Sequence, residues 1–289
     1  MANPLAFHID IESKTITKAL DIIAHAGYTL YEPTKIRRKA KAESDASIIK
    51  AKGDINVSRL QRQALYRLAN LETIHQKNIN QITEKALKNL HESGKPIDQQ
   101  VDTDWVRKYF NFSQDISNEE MQNIWSKVLS GEFIRNGSYS YKTMSILANM
   151  RQDDANLFSR ICGYTAIVGG GRKVPLIFPD PSEAKYSNGT FSFEDLQHLE
   201  SLGLIHFNSI SGFKLTVGSA KTIPVQCGNE IYVINTNEEK IEFAVGEVLM
   251  TREAQELFQV VNAEPFSKLI EIVTQKWITP GRSLVRIDR

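Results

Sequence analysis

The feature that most constrains the fold is a stretch from about Asn56 to Ser93 in which apolar side chains recur every three or four residues. This spacing places them on one face of an α-helix, and Gly94-Lys95-Pro96 is a helix stop signal. A helix of ~35 residues is ~50 Å long, so one small domain cannot cover it. The residues expected to form an oligomer or partner interface are Leu60, Ala64, Leu68, Leu71, Ile74, Ile82 and Leu90.

More than one arrangement could cover this stripe. His75 and Asn78 interrupt it, which suits an antiparallel hairpin or packing on a neighbouring core at least as well as a parallel two-stranded coiled coil. Self-association is the interpretation we favour. The chain is therefore expected to form a homo-oligomer or to bind a helical protein partner.

A second constraint comes from residues 102–163, which predict four short helices around two tryptophans. In the clearest helix, Ser117 and Glu120 have the spacing of a capping box, and Gly131 is expected to cap the C-terminal end. The apolar face of that helix comprises Met121, Ile124, Trp125, Val128 and Leu129. We expect a compact all-helical core here.

The tryptophans belong to a longer pattern of aromatic, glycine and acidic residues. Its members are Asp104-Trp105, Tyr109-Phe110, Ile124-Trp125, Leu129, Gly131-Glu132, Gly137 to Ser140 and Asp154-Ala155 to Phe158. The pattern resembles a bacterial family known as domain of unknown function 2806. With Pro33–Glu43 and Ala69–Ile74 the resemblance covers roughly the whole chain; Asn136 stands where a proline is expected. It implies no activity, and it implies structural roles for Trp105, Phe110, Trp125, Glu132 and Ser140.

A second resemblance concerns the order of elements in this stretch. A tryptophan-containing helix, a short loop and an Asp-Ala helix follow one another, as in the abortive-infection alpha group of phage-defence proteins. This similarity implies a role in phage defence through a partner or a phage trigger.

The first 95 residues are basic. They hold 16 Lys and Arg against 10 Asp and Glu, a net charge of +6, and the rest of the chain has a net charge of −5. The densest cluster is the run formed by Lys35, Arg37, Arg38, Lys39 and Lys41. Such a run fits contacts with nucleic-acid phosphates or an acidic partner. It lacks interleaved aromatics for base stacking, so we favour a solvated helix face and keep nucleic-acid binding as the alternative.

An amphipathic helix is predicted before this run, with Ile16, Leu20 and Ile23 on one side and Gly27 after it. Its basic residues do not form one clear face, as a lipid-binding helix would require. We expect it to pack on a core or a partner.

Beyond residue 165, short strand-like runs replace the helical pattern. Gly169 to Gly171 look like a phosphate-binding loop, but no helix N-terminus follows, as a phosphate cradle requires, so we expect a loop or strand entry. A helix at 193–202 is followed by strand-like runs at 204–208 and 212–217, further runs at 230–235 and 240–245, and a helix from Thr251. This order resembles a winged-helix unit with a hairpin wing. The helix is acidic, which argues against DNA base readout. A basic tail is expected after Pro280-Gly281.

The sequence offers no recognisable catalytic or metal-binding constellation. Its 6 histidines are scattered, and the G-x-S-x-G nucleophile pattern does not occur. Cys162 and Cys227 have neither redox nor metal spacing, which indicates a reducing compartment. Neither a signal peptide nor an apolar run of ~18–20 residues is present. We therefore expect a cytoplasmic, non-enzymatic protein without a cofactor, a metal or an integral membrane segment.

Together these patterns predict a mainly α fold with a smaller α+β part: a long N-terminal helix, a compact helical core and a C-terminal winged-helix-like unit. The expected divisions are an amphipathic and basic segment (1–42), the long helix (43–95), the tryptophan-containing core (98–165) and the winged-helix-like domain with its C-terminal helix (166–289). The favoured function is an oligomeric scaffold or interaction protein, which fits a phage-defence component. The alternative is phosphate-backbone binding by residues 35–41.

Overall fold

A computed structural model describes residues 14–28, 59–98, 100–180, 185–187, 189–218 and 220–287. The chain divides into two compact units, Met1–Tyr141 (unit 1) and Lys142–Arg289 (unit 2). The described part of unit 1 is helical, and unit 2 combines helices with antiparallel strands. The prediction of a mainly α fold with a smaller α+β part is thus confirmed. The division of the chain at residues 42, 95 and 165 stays a prediction.

The helices described in unit 1 are α1 (Lys14–His25), α2 (Arg59–Ser93), α3 (Thr103–Ser113) and α4 (Glu119–Ile134). The long helix is confirmed, since α2 runs for 35 residues without a break. Gly94 follows it with a φ of 61°, a left-handed conformation in which glycine lacks the penalty of a Cβ atom. The sequence pattern therefore predicted both the length and the end of α2.

Helix α1 packs into the core of unit 1. Ile16, Ala19 and Ile23 are buried, and α1 contacts both α2 and α3. Its end is a left-handed glycine cap: the Gly27 N–H donates to Ala24 O, and the Tyr28 N–H donates to Ile23 O. These two bonds satisfy carbonyls that a helix end leaves free. The expected amphipathic helix is therefore a core element of this chain.

Helices α2 and α4 run side by side in the same direction. The Gln122 amide donates to Gln81 Oε1, and the Asn89 amide donates to Ser126 Oγ. The bonded residue numbers therefore increase in the same direction along both helices. Asn78 Nδ2 donates to Gln114 O at the connection after α3. The C-terminal half of α2 is in this way fixed to the rest of unit 1.

The limits of α4 differ from those expected. Asn118, and not Ser117, is the N-cap, and its side chain accepts the Met121 N–H. Gly131 lies inside the helix, which continues to Ile134. A Cβ atom at Gly131 would lie 2.8 Å from Tyr139 Oη. The glycine is thus required by close packing, and the expectation of a C-terminal cap was wrong.

The helices of unit 2 are α5 (Tyr141–Asn149, beginning at the last residue of unit 1), α6 (Gln152–Gly163), α7 (Phe193–Ser201), α8 (Arg252–Leu257) and α9 (Leu269–Trp277). Ser192 and Thr251 cap α7 and α8 through their side-chain oxygens. At α6, Asp154 accepts the Arg151 N–H. Both α5 and α6 were grouped with the tryptophan core from the sequence.

The strands of unit 2 pair antiparallel. They are β1 (Thr165–Val168), β2 (Arg172–Pro175), β3 (Pro179–Asp180), β4 (Lys185–Tyr186), β5 (Ile205–Phe207), β6 (Phe213–Val217), β7 (Thr222–Cys227), β8 (Glu230–Thr236), β9 (Ile241–Gly246), β10 (Val248–Met250) and β11 (Arg282–Ile287). One sheet has the order β11-β8-β7-β1-β2, and the other pairs are β10-β5, β3-β4 and β6-β9.

This pairing does not confirm the winged-helix arrangement. The runs at 204–208 and 212–217 are strands β5 and β6, but β5 pairs with β10 and β6 pairs with β9. The hairpin wing expected from their proximity in sequence is therefore not formed. The three glycines after Val168 form the turn between β1 and β2, which confirms that they are a strand connection.

The core of unit 2 is formed by the large sheet, strand β9 and helix α9. Trp277 is fully buried, its Nε1 donates to Ala244 O at 2.7 Å, and its ring lies 4.7 Å from that of Phe243. Arg282, at the start of β11, donates to the Trp277 carbonyl and binds both carboxylate oxygens of Glu238 at 2.7 Å. These contacts fix one end of β11.

Candidate interaction surface of the long helix

The N-terminal half of α2, residues 59–74, exposes apolar side chains to solvent. Leu60 is 77% exposed, Leu68 is 59% exposed and Ile74 is 50% exposed. Ala64 and Leu71 are exposed as well. Large exposed apolar patches on a folded chain mark sites of interaction. We call residues 59–74 the exposed half of α2.

The C-terminal half of the same helix is buried. Ile82 is 0% exposed and Leu90 is 1% exposed, both inside unit 1. These two residues serve the core of the chain itself, which corrects their expected place in an outer interface. The stripe predicted from the sequence is thus one continuous face with two different environments.

The exposed and buried parts of the stripe lie on the same side of the helix. At 100° per residue, Leu60, Leu71 and Ile74 fall within about 60° of each other, close to the buried Asn78 and Ile82. The face that packs into unit 1 therefore continues along residues 59–74. Among the described residues, nothing buries it there.

The charges of the exposed half are unevenly distributed. Arg59 and Arg62 lie in its N-terminal part, Arg67 lies near its middle, and Glu72 lies at its C-terminal end. All four side chains belong to exposed residues. Glu72 is 3.7 Å from His75 Nδ1 and is still 78% exposed. The segment consequently has a positive end and a negative end.

Two exposed residues of this segment were missed from the sequence. Leu65 is 54% exposed and Tyr66 is 52% exposed. Leu65 lies three residues before Leu68, at the border of the stripe, whereas Tyr66 projects from another side of the helix. An apolar count over the window, without regard to periodicity, would have found them.

In unit 1, the motif residues Glu132, Trp105 and Gly131 hold Tyr139 in place. Glu132 is 1% exposed, and its carboxylate accepts the N–H groups of Gly137 at 2.6 Å and Tyr139 at 3.1 Å. The Trp105 indole donates to Tyr139 O at 2.8 Å. The Tyr139 ring occupies the space that Gly131 leaves free. The motif residues thus fix the chain that leaves α4.

The remaining motif residues support the interior of unit 1. Tyr109, fully buried, donates through its hydroxyl to Trp125 O at 2.6 Å, and burial raises its pKa well above the usual value. The rings of Tyr109 and Trp125 meet edge to face at 5.2 Å. Phe110 is buried against Tyr28, at 4.5 Å between ring centres. Ser140 precedes α5. Tyr109, Phe110 and Trp125 thus pack inside unit 1, and a structural role for Ser140 stays a prediction.

The motif lies inside a region that matches a known family. The model of the family described as "Protein of unknown function (DUF2806)" matches residues 61–273. The chain belongs to this family. No curated protein and no solved structure matches the chain. The similarity to the abortive-infection alpha group therefore gains no support.

The DUF2806 match includes both features described above. It begins two residues after the first residue of α2 and so contains nearly all of the exposed half. It also contains the Trp105–Ser140 motif and extends through most of α9. The exposed half of α2 is thus part of the family region.

Other groups of described residues give weaker evidence for a functional site. No three His, Cys, Asp or Glu residues converge there as a metal site. A cavity of about 200 Å³ in unit 2 is lined by Cys162, Gln226 and Phe258, among others. Burial raises the pKa of the Cys162 thiol, which lowers the fraction present as the reactive thiolate. None of the described helices has the length and apolarity needed to cross a bilayer.

The basic run of Lys35, Arg37, Arg38, Lys39 and Lys41 lies outside the described residues. Nucleic-acid binding stays a prediction from the sequence.

Proposed function

We propose that the protein is a non-enzymatic interaction protein that assembles with a second copy of itself through the exposed half of α2. The observation that carries this proposal is the group of six large apolar side chains exposed within residues 59–74. Four of them, Leu60, Leu68, Leu71 and Ile74, continue a face that is buried elsewhere in the same helix. A second copy would cover that face and complete its burial.

The energetics of an isolated helix favour such a partner. Helices of fewer than ~12–15 residues are marginal in water, and most helical stability in proteins comes from packing an apolar face. The exposed half extends α2 well beyond its contacts with α3 and α4. Removing apolar surface from water contributes about 25 cal/mol per Å². Pairing of two exposed halves would therefore stabilise both.

The test is the mass of the full chain in solution by light scattering. We expect the wild type to have at least twice the mass of one chain, and the variant Leu68→Glu/Leu71→Glu to have half the mass of the wild type. The matched control Ala69→Glu/Thr73→Glu adds the same charge on the other side of α2 and should keep the larger mass. A wild type with the mass of a single chain at every concentration would contradict the proposal, as would equal dissociation by both variants.

We also propose that the protein acts in the bacterial cytoplasm and, more specifically, that it takes part in phage defence. The phage-defence proposal rests on the order of the tryptophan helix and the Asp-Ala helix in the sequence. Phage plating on cells with the wild type or with Leu68→Glu/Leu71→Glu tests it. Protection by the wild type that the variant loses would support it, and equal plating with and without the protein would remove it.

The alternative function is sequence-independent binding to nucleic-acid phosphates. It is supported by the net charge of +6 in residues 1–95 and by the basic run. Anisotropy of labelled mixed-sequence DNA and RNA tests it, because phosphate contacts weaken steeply with salt. The variant Arg37→Ala/Arg38→Ala/Lys39→Ala should abolish that binding while leaving the mass in solution unchanged. No binding at low salt would eliminate this alternative.

A further inference from the structure

The large sheet of unit 2 has one unprotected edge, formed by β11. This strand pairs with β8 over six consecutive residues in one register, from Arg282↔Thr236 to Ile287↔Ile231. In the part of the chain that the structure describes, no strand pairs with its other side. An edge of this kind presents free backbone N–H and C=O groups to another strand.

The opposite edge of the sheet is blunted. Strand β2 has four residues, ends in Pro175 and carries Lys173, and short strands, proline and lysine are the usual protection of an edge. Strand β11 contains neither proline nor lysine. Its arginines are bound within the sheet, Arg282 to Glu238 at 2.7 Å and Arg286 to Glu230 at 2.9 Å. The two edges therefore differ in their readiness to accept a strand.

The two faces of β11 also differ. Leu284 packs against the hydrophobic core of unit 2. Because side chains alternate along a strand, Val285 and Ile287 point to the other face, where they are 50% and 47% exposed. Their neighbours on β8 are Val233 and Ile231. The outer face of this edge is thus apolar.

We propose that β11 pairs antiparallel with β11 of a second copy, about a twofold axis at Val285. In this register Val285 lies opposite Val285 of the other copy, and Ile287 lies opposite Ser283. The core face of one sheet continues as the core face of the next, and the two outer apolar patches become one. Ten strands would then form one sheet across two copies.

The arginines of β11 select this register. Moving the axis to Leu284 places Arg282 opposite Arg286 of the other copy, and moving it to Arg286 places that residue opposite itself. Like charges directly opposite on antiparallel strands are destabilising. With the axis at Val285, Arg286 lies opposite Leu284. The strand is therefore self-complementary in one register, which favours a second copy over an unrelated strand as the occupant.

Single cysteines on the same face of β11 test the register. In the proposed pair, Cβ atoms of Val285→Cys lie about 5 Å apart, and those of Ser283→Cys about 13 Å apart, four residues at about 3.3 Å each. A short thiol–thiol crosslinker should join the first variant at least tenfold faster than the second. Cys162 and Cys227 are buried and stay unreactive in both. Equal rates, or no crosslinked dimer in either variant, would overturn the proposal.

This inference rests on unit 2 and is separate from the contact through α2. The experiment is therefore repeated in the Leu68→Glu/Leu71→Glu background, where the difference between Val285→Cys and Ser283→Cys should remain. In that background Val285→Lys should halve the mass in solution, because it places two lysines opposite each other. Ile210→Lys, on an exposed loop of the same unit, should leave it unchanged. Loss of mass in both lysine variants, or in neither, would also refute β11 pairing.

Discussion

The carboxylate of Glu132 holds the backbone of Tyr139, whose N–H donates to it at 3.1 Å. Because Gly137 donates to the same carboxylate, one buried side chain fixes the chain that leaves α4. Glu132 is therefore placed to serve folding.

The first prediction concerns this carboxylate. Glu132→Ala leaves two backbone donors without their acceptor, and a bond to a charged group contributes about 1.5–3 kcal/mol. We expect the free energy of unfolding to fall by roughly 3 kcal/mol in urea titrations. Glu132→Gln keeps one acceptor oxygen, so its free energy of unfolding should fall less. The exposed Glu119→Ala is the control. A loss below about 0.5 kcal/mol for Glu132→Ala would contradict this role.

The second prediction concerns Gly131. Alanine is the better helix former by about 1 kcal/mol, but its Cβ would lie 2.8 Å from Tyr139 Oη. Overpacking of this kind costs about 1–3 kcal/mol, so Gly131→Ala should destabilise the protein. The pair Gly131→Ala/Tyr139→Leu should be less destabilised than the sum of its single variants, as measured by a double-mutant cycle. Additive effects would show that the close approach is not the cause.

The third prediction concerns the face of α2 that pairs. Ala64→Glu places a charge on the exposed apolar face, so we expect dimerisation to weaken about tenfold or more, because an unpaired charge is costly to bury. Arg62→Glu lies on the same side of the helix as Ala69 and Thr73, away from that face, and should leave the dissociation constant unchanged in analytical ultracentrifugation. Equal weakening by both variants would contradict pairing through this face.

The fourth prediction concerns acid stability. Burial acts to raise the pKa of Asp154, but the Arg151 N–H and His198, whose Nε2 is 2.6 Å away, hold that pKa below the usual value. A depressed folded-state pKa gives stability that is present above the unfolded value, about 3.9, and is lost as the pH falls through the folded one. Asp154→Asn should therefore flatten the loss of stability below about pH 4.

The control for this prediction is Asp153→Asn, which removes an exposed carboxylate from the same turn of α6. Urea midpoints for both variants, measured from neutral pH into the acid range, separate the two carboxylates. Parallel acid profiles for Asp154→Asn and the wild type would contradict the assignment.

The fifth prediction concerns the two thiols. Burial raises the pKa of Cys162, and burial followed by the charge of Glu230 raises the pKa of Cys227 to about 12. Thiolates are the reactive species, so both residues should react with a chromogenic disulfide far more slowly in the native protein than in urea. Two thiols per chain should appear only on unfolding. A fast phase in the native protein would assign reactivity to one of them.

The elements that the sequence predicted are those with local signals. The stripe and Gly94 predicted α2, and the residues around Thr251 predicted α8. Periodicity could not show that Leu68 is exposed and Ile82 is buried, because both positions have the same pattern. That difference depends on where α3 and α4 end in space.

The elements that the sequence missed depend on distant partners. Gly131 was interpreted as a cap because the Tyr139 ring that fills its space is not visible in a local pattern. Strand β11 was interpreted as a basic tail, since Arg282 and Arg286 dominate its composition. The alternation of Ser283, Leu284 and Val285 was the available signal. The pairing of β5 with β10 joins residues some forty positions apart, beyond the reach of turn rules.

The division of α2 into a packed half and an exposed half implies two local stabilities within one helix. Amide hydrogens near Ile82 and Leu90 should exchange only when unit 1 opens, whereas those near Leu60 and Leu68 can exchange by fraying of the helix end. Covering the exposed half would slow exchange there and leave the packed half unchanged. The ratio of the two exchange rates within this one helix therefore measures the fraction of the protein that is bound to its partner.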